Sequence, residues 1–433
     1  MFAIRQRRSL GRMRFCLLGF AGSLVLLSFA FTSCRPPESG ATLTQEAYVW
    51  QRAHTEAVAQ SVCAHAPAFD HLVVLAAEVS WAQGHASIIR VPLAVPALQT
   101  VSSLGLAIRI NAFSGSFAPD SASTRLLVEL VTSLLADARA TGLRVTELQL
   151  DFDAAEKRLT DYRLWLSALR PVVAATVRLT FTALPAWLKH THDFAALTAA
   201  TDGFVLQVHS LARPTAPDDA VALCDPDAAR RAVTAAARFG RPFRVALPTY
   251  GYRLAFDSQG RFFALSAEGP PPAWPAGTII RELEAYPAAL AAFVTDFQIR
   301  HPQVLTGIIW YRLPVAGDRL NWAWPTLEAV MKGETPAARV ALETRADAHG
   351  LVEYALVNTG NGPFSGAFSS TVTWTGANRI AADALPPFAL ENESATSQRL
   401  TTVSLRLAPG GRQPAGWLRL NQAPLSLHVS PSP

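Results

Sequence analysis

The sequence predicts an α/β chain in which a (β/α)8 TIM barrel is followed by a small C-terminal β-sandwich-like domain. Three observations predict it. Eight short, apolar, β-rich runs alternate with Ala/Leu/Arg-rich stretches of helical spacing. Most of the runs are unbroken rather than alternating, as parallel strands buried on both faces require. Past about Lys332 the helical spacing disappears, and short alternating runs between turn clusters replace it.

The first run, residues 47–51 (AYVWQ), is short and aromatic, and 71–79 (HLVVLAAEV) is continuous. Residues 104–111 (LGLAIRIN), 146–152 (TELQLDF) and 176–182 (TVRLTFT) give strands three to five. Residues 203–209 (GFVLQVH), 243–248 (FRVALP) and 307–312 (GIIWYR) complete the eight. Helical spacing is clearest over 123–140, 160–169, 227–239 and 287–300. Eight such units in about 290 residues have the size and order of a TIM barrel. A doubly wound open sheet is the main alternative, but no Gly-rich phosphate turn follows the first strand. After strand seven, residues 254–265 place Asp257-Ser258-Gln259-Gly260 between apolar residues and read as a β-hairpin. The proline-rich stretch 269–275 then returns the chain towards the last helix. In the tail, residues 339–343, 351–358, 371–374, 400–407 and 417–420 read as strands. That domain either binds polysaccharide or braces the barrel.

The division expected is a lipoprotein signal peptide over 1–33, a tether over 34–43, the barrel over 44–335 and the all-β domain over 336–433. Arg5, Arg7, Arg8, Arg12 and Arg14 precede an apolar run to Phe31, without an acidic residue. Cys34 follows Thr32-Ser33 in the manner of a bacterial lipobox, where the cysteine is acylated and becomes the mature N-terminus. An uncleaved anchor helix is the alternative. Either way the body lies outside the cytoplasm. Arg35 in place of an inner-membrane retention aspartate points to the outer membrane, facing the periplasm or cell surface. The signal's five arginines account for the whole formal charge of +5, so the mature chain is neutral. No basic block remains for nucleic acid. Cys63 and Cys224 remain to pair or to stay free, and no Cys or His spacing suggests a metal.

In such barrels the C-terminal strand ends hold the chemistry. Strand four offers Gln149, Asp151 and Asp153, which share one face because alternate strand residues point the same way. Two carboxylates about 7 Å apart, twice the strand rise, do not ionise independently. One of them is then held protonated and can serve as a general acid. Capping of the next helix is the lesser alternative for Asp153. Glu78 after strand two offers a partner carboxylate. Gln207 and His209 on strand six and Tyr250 after strand seven complete the polar rim, His209 being also a common kind of packed barrel residue. Trp50 and Trp310 either floor a sugar site or fill the core.

These residues resemble the family-18 glycoside hydrolases, the chitinase-like barrels. Thr146-x-x-Gln149-x-Asp151-x-Asp153 looks like the strand-four motif D-x-x-D-x-D-x-E. The segment from Asp202 to His209 is similar to the strand-six segment ending in Met-x-Tyr-Asp. Leu247-Pro248-Thr249-Tyr250-Gly251-Tyr252 resembles Pro-Phe-Tyr-Gly-Arg, and Gly307-Ile308-Ile309-Trp310 the strand-eight segment with its tryptophan under the reactive sugar. The chain is more similar still to a group of uncharacterised bacterial lipoproteins with glycoside-hydrolase-like barrels. Trp50-x-Arg52, Asp151-Phe152-Asp153 and Leu247-Pro248-Thr249-Tyr250-Gly251 recur in that group. The resemblance covers roughly residues 44–335. It departs where Asp153 replaces the acid glutamate, Thr146 and Gln149 replace two aspartates, His209 replaces a tyrosine, and Ser-x-Gly-Gly is missing. It implies a carbohydrate ligand or substrate and no cofactor, with Asp153 as proton donor, Asp151 steering substrate, Tyr250 donating a hydrogen bond and Trp310 as floor. A cleft that binds glycan without turnover is the alternative.

Overall fold

The computed structural model describes residues 42–270 and 272–431. The signal segment, Cys34 and most of the tether lie outside the described residues. Eight parallel strands form one closed barrel: β1 (Thr44–Val49), β2 (His71–Ala82), β3 (Leu104–Ile110), β4 (Val145–Phe152), β5 (Arg178–Ala183), β6 (Gly203–Gln207), β7 (Phe243–Pro248) and β8 (Leu305–Tyr311). Each pairs with its chain neighbours, and β1 pairs with both β2 and β8, which closes the sheet. All eight expected runs are strands of this (β/α)8 barrel. The four expected helices are Ala122–Ala140, Leu159–Leu169, Pro226–Ala237 and Pro287–Ile299. Ser121 caps the first, its hydroxyl accepting from Thr124 N, and Asp225 caps the third, with Pro226 opening it.

Closure splits every strand into two sets of side chains. One set, including Leu72, Val74, Leu106, Leu148, Leu150, Phe181, Phe204 and Trp310, packs against the helices. The other faces the axis and forms a smaller apolar layer of Tyr48, Trp50, Val73, Leu75, Ala107, Val205, Ala246 and Ile309. Period two therefore puts Glu46, Glu147, Gln149, Asp151, Arg109 and Arg244 inside as well. The register of β2 slips by one residue between Leu75 and Ala77. This bulge turns the inward series from Val73 and Leu75 to Glu78, opposite Arg109.

Two connections on the C-terminal face are elaborated. The end of β2 pairs with His85–Arg90 in a hairpin through Gln83 and Gly84, at φ 50° and 82°. The expected hairpin after β7 is present as Gly251–Phe256 and Phe262–Ser266, and a third strand, Ile279–Glu284, joins its other edge. The tail folds as two four-stranded antiparallel sheets. Their facing sides bury Leu342, Tyr354, Val372, Trp374, Leu400 and Leu418 in a core of their own. It meets the barrel through ion pairs from Arg406 to Glu282 and Glu284, and through Thr326 Oγ1 donating to Asn361 O at 2.8 Å.

At the N-terminal end of the strands the axis is closed by charge rather than by hydrocarbon. Arg244 lies 2.5 Å from Glu46 and bonds Glu147 as well. Thr180 donates to Glu147 at 2.5 Å, Arg178 at 2.9 Å, and His71 Nε2 stands 3.1 Å away. Gly105 makes the room, since a Cβ there would sit 2.9 Å from His71 Nε2. Burial alone would raise Glu147, but Arg244, His71 and Arg178 together hold it well below the usual carboxylate range. Such a network is neutral at best against a hydrophobic plug, yet removing one member leaves buried charge unpaired. Arg244→Met should therefore cost roughly 3–5 kcal/mol in urea unfolding. A loss below about 1 kcal/mol would mean that water reaches Glu46 and Glu147 in the variant.

Candidate active site

The mouth of the barrel holds a cleft of about 390 Å³ whose walls come from five strand ends. β1 supplies Trp50 and then Arg52, the β2 bulge Glu78, β3 Arg109, the segment after β7 Tyr250 and Tyr252, and β8 Tyr311. Trp50 and Tyr311 meet edge to face at 5.5 Å, and Tyr48 packs under both at 5.1 and 5.8 Å. Tyr250 touches Tyr311 at 5.4 Å and Tyr252 at 5.2 Å. The result is an aromatic wall beside charged groups. A larger cleft of about 780 Å³ lies between barrel and sandwich, among Arg253, Asp318, Trp324 and Arg406. The smaller cleft is the better candidate, because Glu78 and Arg109 line it at the C-terminal strand ends, in register with Asp151.

Those carboxylates arrive by register. Glu78, Arg109 and Asp151 stand side by side across β2, β3 and β4. Glu78 is buried and receives Arg52 Nε at 2.9 and 3.1 Å. Asp151 accepts from Thr182 Oγ1 at 2.7 Å. Burial raises Asp151 to about 6, with Asp153 and Glu78 adding to the rise while Thr182 and Arg109 oppose it. Asp153, exposed at the rim, is also raised by lost solvation and drawn back by Arg109. It caps no helix: the following turn and helix begin after Ala155 and Arg158. Of the expected strand-four pair, Asp151 is half-buried in register with Arg109, and Asp153 is exposed just past the strand end.

His209 is buried, shares a hydrogen bond with Tyr250 Oη at 3.2 Å, and lies 5.5 Å from the Tyr311 ring. Burial lowers it to about 3, so it is neutral at pH 7. Gln207 donates to the His209 carbonyl at 3.3 Å. Gln149 is fully buried below Asp151 within hydrogen-bond reach of Tyr48, while the buried Trp50 Nε1 lacks a partner among the described residues. Such atoms are costly unless a ligand or water meets them.

One expectation is corrected. Trp310 does not floor the cleft: it is fully buried among the helices, donates to Gln45 Oε1 at 2.8 Å, and packs on Trp322. Ile309 and Tyr311 take the inward positions of β8, so strand parity makes Tyr311 the aromatic of the mouth. Tyr311, Arg52, Arg109 and Tyr252 are site residues that the sequence reading did not single out. An arginine inside the apolar run LGLAIRIN was the available sign for Arg109. Cys63 and Cys224 are both free.

The family model that matches, Domain of unknown function (DUF3142), spans residues 107–316. No curated protein matches the chain by sequence. Among solved structures, the spore cortex-lytic enzyme SleL of Bacillus cereus is 13% identical with a TM-score of 0.48, over 67% of this chain and 74% of that one. Chitinase ChiA74 from Bacillus thuringiensis is 10% identical with a TM-score of 0.42, over 90% of this chain and 100% of that one. A class V chitinase from Pseudomonas fluorescens Pf-5 is 15% identical with a TM-score of 0.44, over 67% and 99%. At such identities these are likenesses of fold and carry nothing about the reaction.

What the arrangement can do follows from its protons. A carboxyl with a value near 6 keeps a proton at mildly acid pH, where an ordinary aspartate has lost it. Burial pushes the Tyr250 and Tyr311 phenols far up, so both remain donors at any working pH. The same shift reads out as stability. Asp151 ionises near 3.8 when unfolded and near 6 when folded, so the unfolded chain releases the proton first as pH rises. Stability is therefore fully present below about 4 and falls through pH 6. Asp151→Asn, which can still accept from Thr182, should be more stable than the parent at pH 8 by roughly 1–3 kcal/mol. The two should converge near pH 4 in thermal unfolding, and a constant difference across that range would show an ordinary, solvated Asp151.

Proposed function

We propose that the protein is a glycoside-hydrolase-like protein acting on an oligo- or polysaccharide, with general acid catalysis from Asp151-Phe152-Asp153. The observation that carries the reading is this carboxyl pair, raised by burial and set on β4 beside Arg109 of the cleft walled by Trp50, Tyr250, Tyr252 and Tyr311. Sugars are amphipathic: their C–H faces pack on aromatic rings and their hydroxyls need convergent polar groups. The mouth offers both. Asp153 is the accessible member and acts as donor. Its O–H proton passes to the glycosidic oxygen as the C–O bond breaks and the leaving sugar departs as an alcohol. Water then adds to the anomeric carbon and returns a proton to the Asp153 carboxylate. Asp151, whose proton burial and the Asp153 charge help to retain, is the proton reserve behind the donor and steers the substrate. Trp50 offers an unpaired polar atom in the cleft wall.

The test is release of new reducing ends from a panel of bacterial and environmental glycans by the full chain and by Asp153→Asn. Release by the parent, reduced at least about 10²-fold in the variant, supports the acid role. No release by either, with glycan retained on the protein and lost in Trp50→Ala, would replace the hydrolase by a binding protein.

The same proposal has the protein exported by residues 1–33 and lipid-anchored in the cell envelope through Cys34, a reading supported by the basic, apolar and lipobox-like order of that segment. Cells fed labelled fatty acid should label the parent and not Cys34→Ala. Equal labelling of both would remove the anchor from the proposal.

A further inference from the structure

Arg109 is the cation at the centre of the mouth. It lies on β3 in register with Glu78 on one side and Asp151 on the other, and it lines the cleft. The other two arginines of the cleft are engaged: Arg52 with Glu78 at 2.9 Å, and Arg312 with Asp318 at 3.0 Å. Arg52 is itself 70% exposed, so water screens most of its charge. Among the described residues Arg109 has no carboxylate within ion-pair distance, yet it faces three carboxyl groups from two strands. A closed, bidentate pair with one aspartate would leave the other uncompensated, since Arg52 already serves Glu78.

We propose that Arg109 is a positioning residue that sets the charge of the acid pair, holding Asp151 and Asp153 together at one negative charge and one retained proton. This rests on the acid–base reading of the same site and adds the group that makes it work near neutral pH. Two aspartates so placed, without a nearby cation, would take up a further proton as like charges repel. A cation locked onto one of them would ionise that group and leave no donor. Arg109, beside both aspartates and bound to neither, lies between these limits. The lowering of both Asp151 and Asp153 by Arg109 agrees with that placement.

The surrounding groups complete the field. From the β2 side come Glu78 and its partner Arg52. From β4 come Asp151 and Asp153, with Thr182 of β5 donating to the first. Tyr162, from the helix behind β4, feels both aspartates and is buried. Across the axis stand Tyr311 and Arg312, with Tyr250, Tyr252 and Glu268 beside them in the cleft wall. Arg109 opposes Asp151 in setting Tyr311, which remains protonated. Glu268 is occupied by the backbone N–H groups of Arg319 and Leu320 at 2.8 and 2.6 Å. Arg109 is therefore the cation nearest the acid pair that is free to respond to it.

The experiment is a carboxyl-carbon NMR titration of the aspartate-labelled full chain, with the Asp151 signal assigned by its loss in Asp151→Asn. Arg109→Gln should move the Asp151 midpoint upward by about one pH unit. Arg109→Lys, which keeps the charge, should leave it close to the parent's and also guards against a Gln variant that fails to fold. An unmoved midpoint in Arg109→Gln overturns the proposal, as does an equal shift in both variants, which would make the cause steric. Loss of glycan retention in Arg109→Gln with an unmoved titration would instead make Arg109 a receptor for an anionic sugar, and overturns it too. No glycan is needed for the titration. Its failure is thus separate from failure of the hydrolase reading, which would show as no reducing ends from the parent.

Discussion

Closure of eight parallel strands is the constraint on which the rest depends, because it decides which side chain of each strand looks at the axis. An open sheet could let a charged residue turn to solvent at an edge. A closed barrel has no edge, so each inward position must be filled, paired or opened to the mouth. Here the inward series runs from Arg244, Glu46 and Glu147 at the base, through Tyr48, Val73, Ala107, Val205 and Ile309, to Arg109, Asp151 and Glu78 at the mouth. Charge therefore occupies both ends of the axis, with an apolar layer between them.

The two ends treat charge in opposite ways. At the base every carboxylate is met by a guanidinium or hydroxyl at hydrogen-bond distance, and pairing outweighs desolvation, so Glu147 stays ionised. At the mouth desolvation outweighs pairing, and Asp151 is raised instead. The difference is one of partners rather than of depth. Two arginines and a histidine surround Glu147, whereas Asp151 has one hydroxyl at 2.7 Å and a cation shared with its neighbours. A paired network gives a rigid base. An underpaired cluster leaves proton affinity available for chemistry.

The insertions and the tail support this mouth. The three-stranded sheet after β7 carries Tyr252 on its central strand and Glu282 and Glu284 on its edge strand, where Arg406 of the sandwich grips them. A wall of the cleft is thus braced from outside the barrel by charge on the sandwich. Thr249 ties the same region to β8, accepting from Arg312 N at 2.6 Å and donating to Asn321 Oδ1 at 2.7 Å. The Asn321 amide also reaches Asp318, which pairs with Arg312. Side chains far apart in sequence hold Tyr311 and Arg312 against the cleft.

Much of this was legible in one dimension. Continuous apolar runs with helical stretches between them can bury both faces only as a parallel, helix-covered sheet, and eight in order close into a barrel. The Asp151-Phe152-Asp153 spacing likewise placed two carboxyl groups on one face, because strand side chains alternate strictly. What the sequence could not supply is absolute phase. Trp310 and Tyr311 are adjacent, and only the closed sheet shows that Tyr311 looks inward and Trp310 packs on the helices. A bulge between Leu75 and Ala77 turns Glu78 to the mouth, and no local pattern announces it. Arg109 acquires its role from Glu78 and Asp151, 31 residues before it and 42 after it, brought alongside by register. Local composition determines which strands and helices form, since burial and period act within a few residues. The site's charge depends on distances between strands, and only tertiary closure sets those.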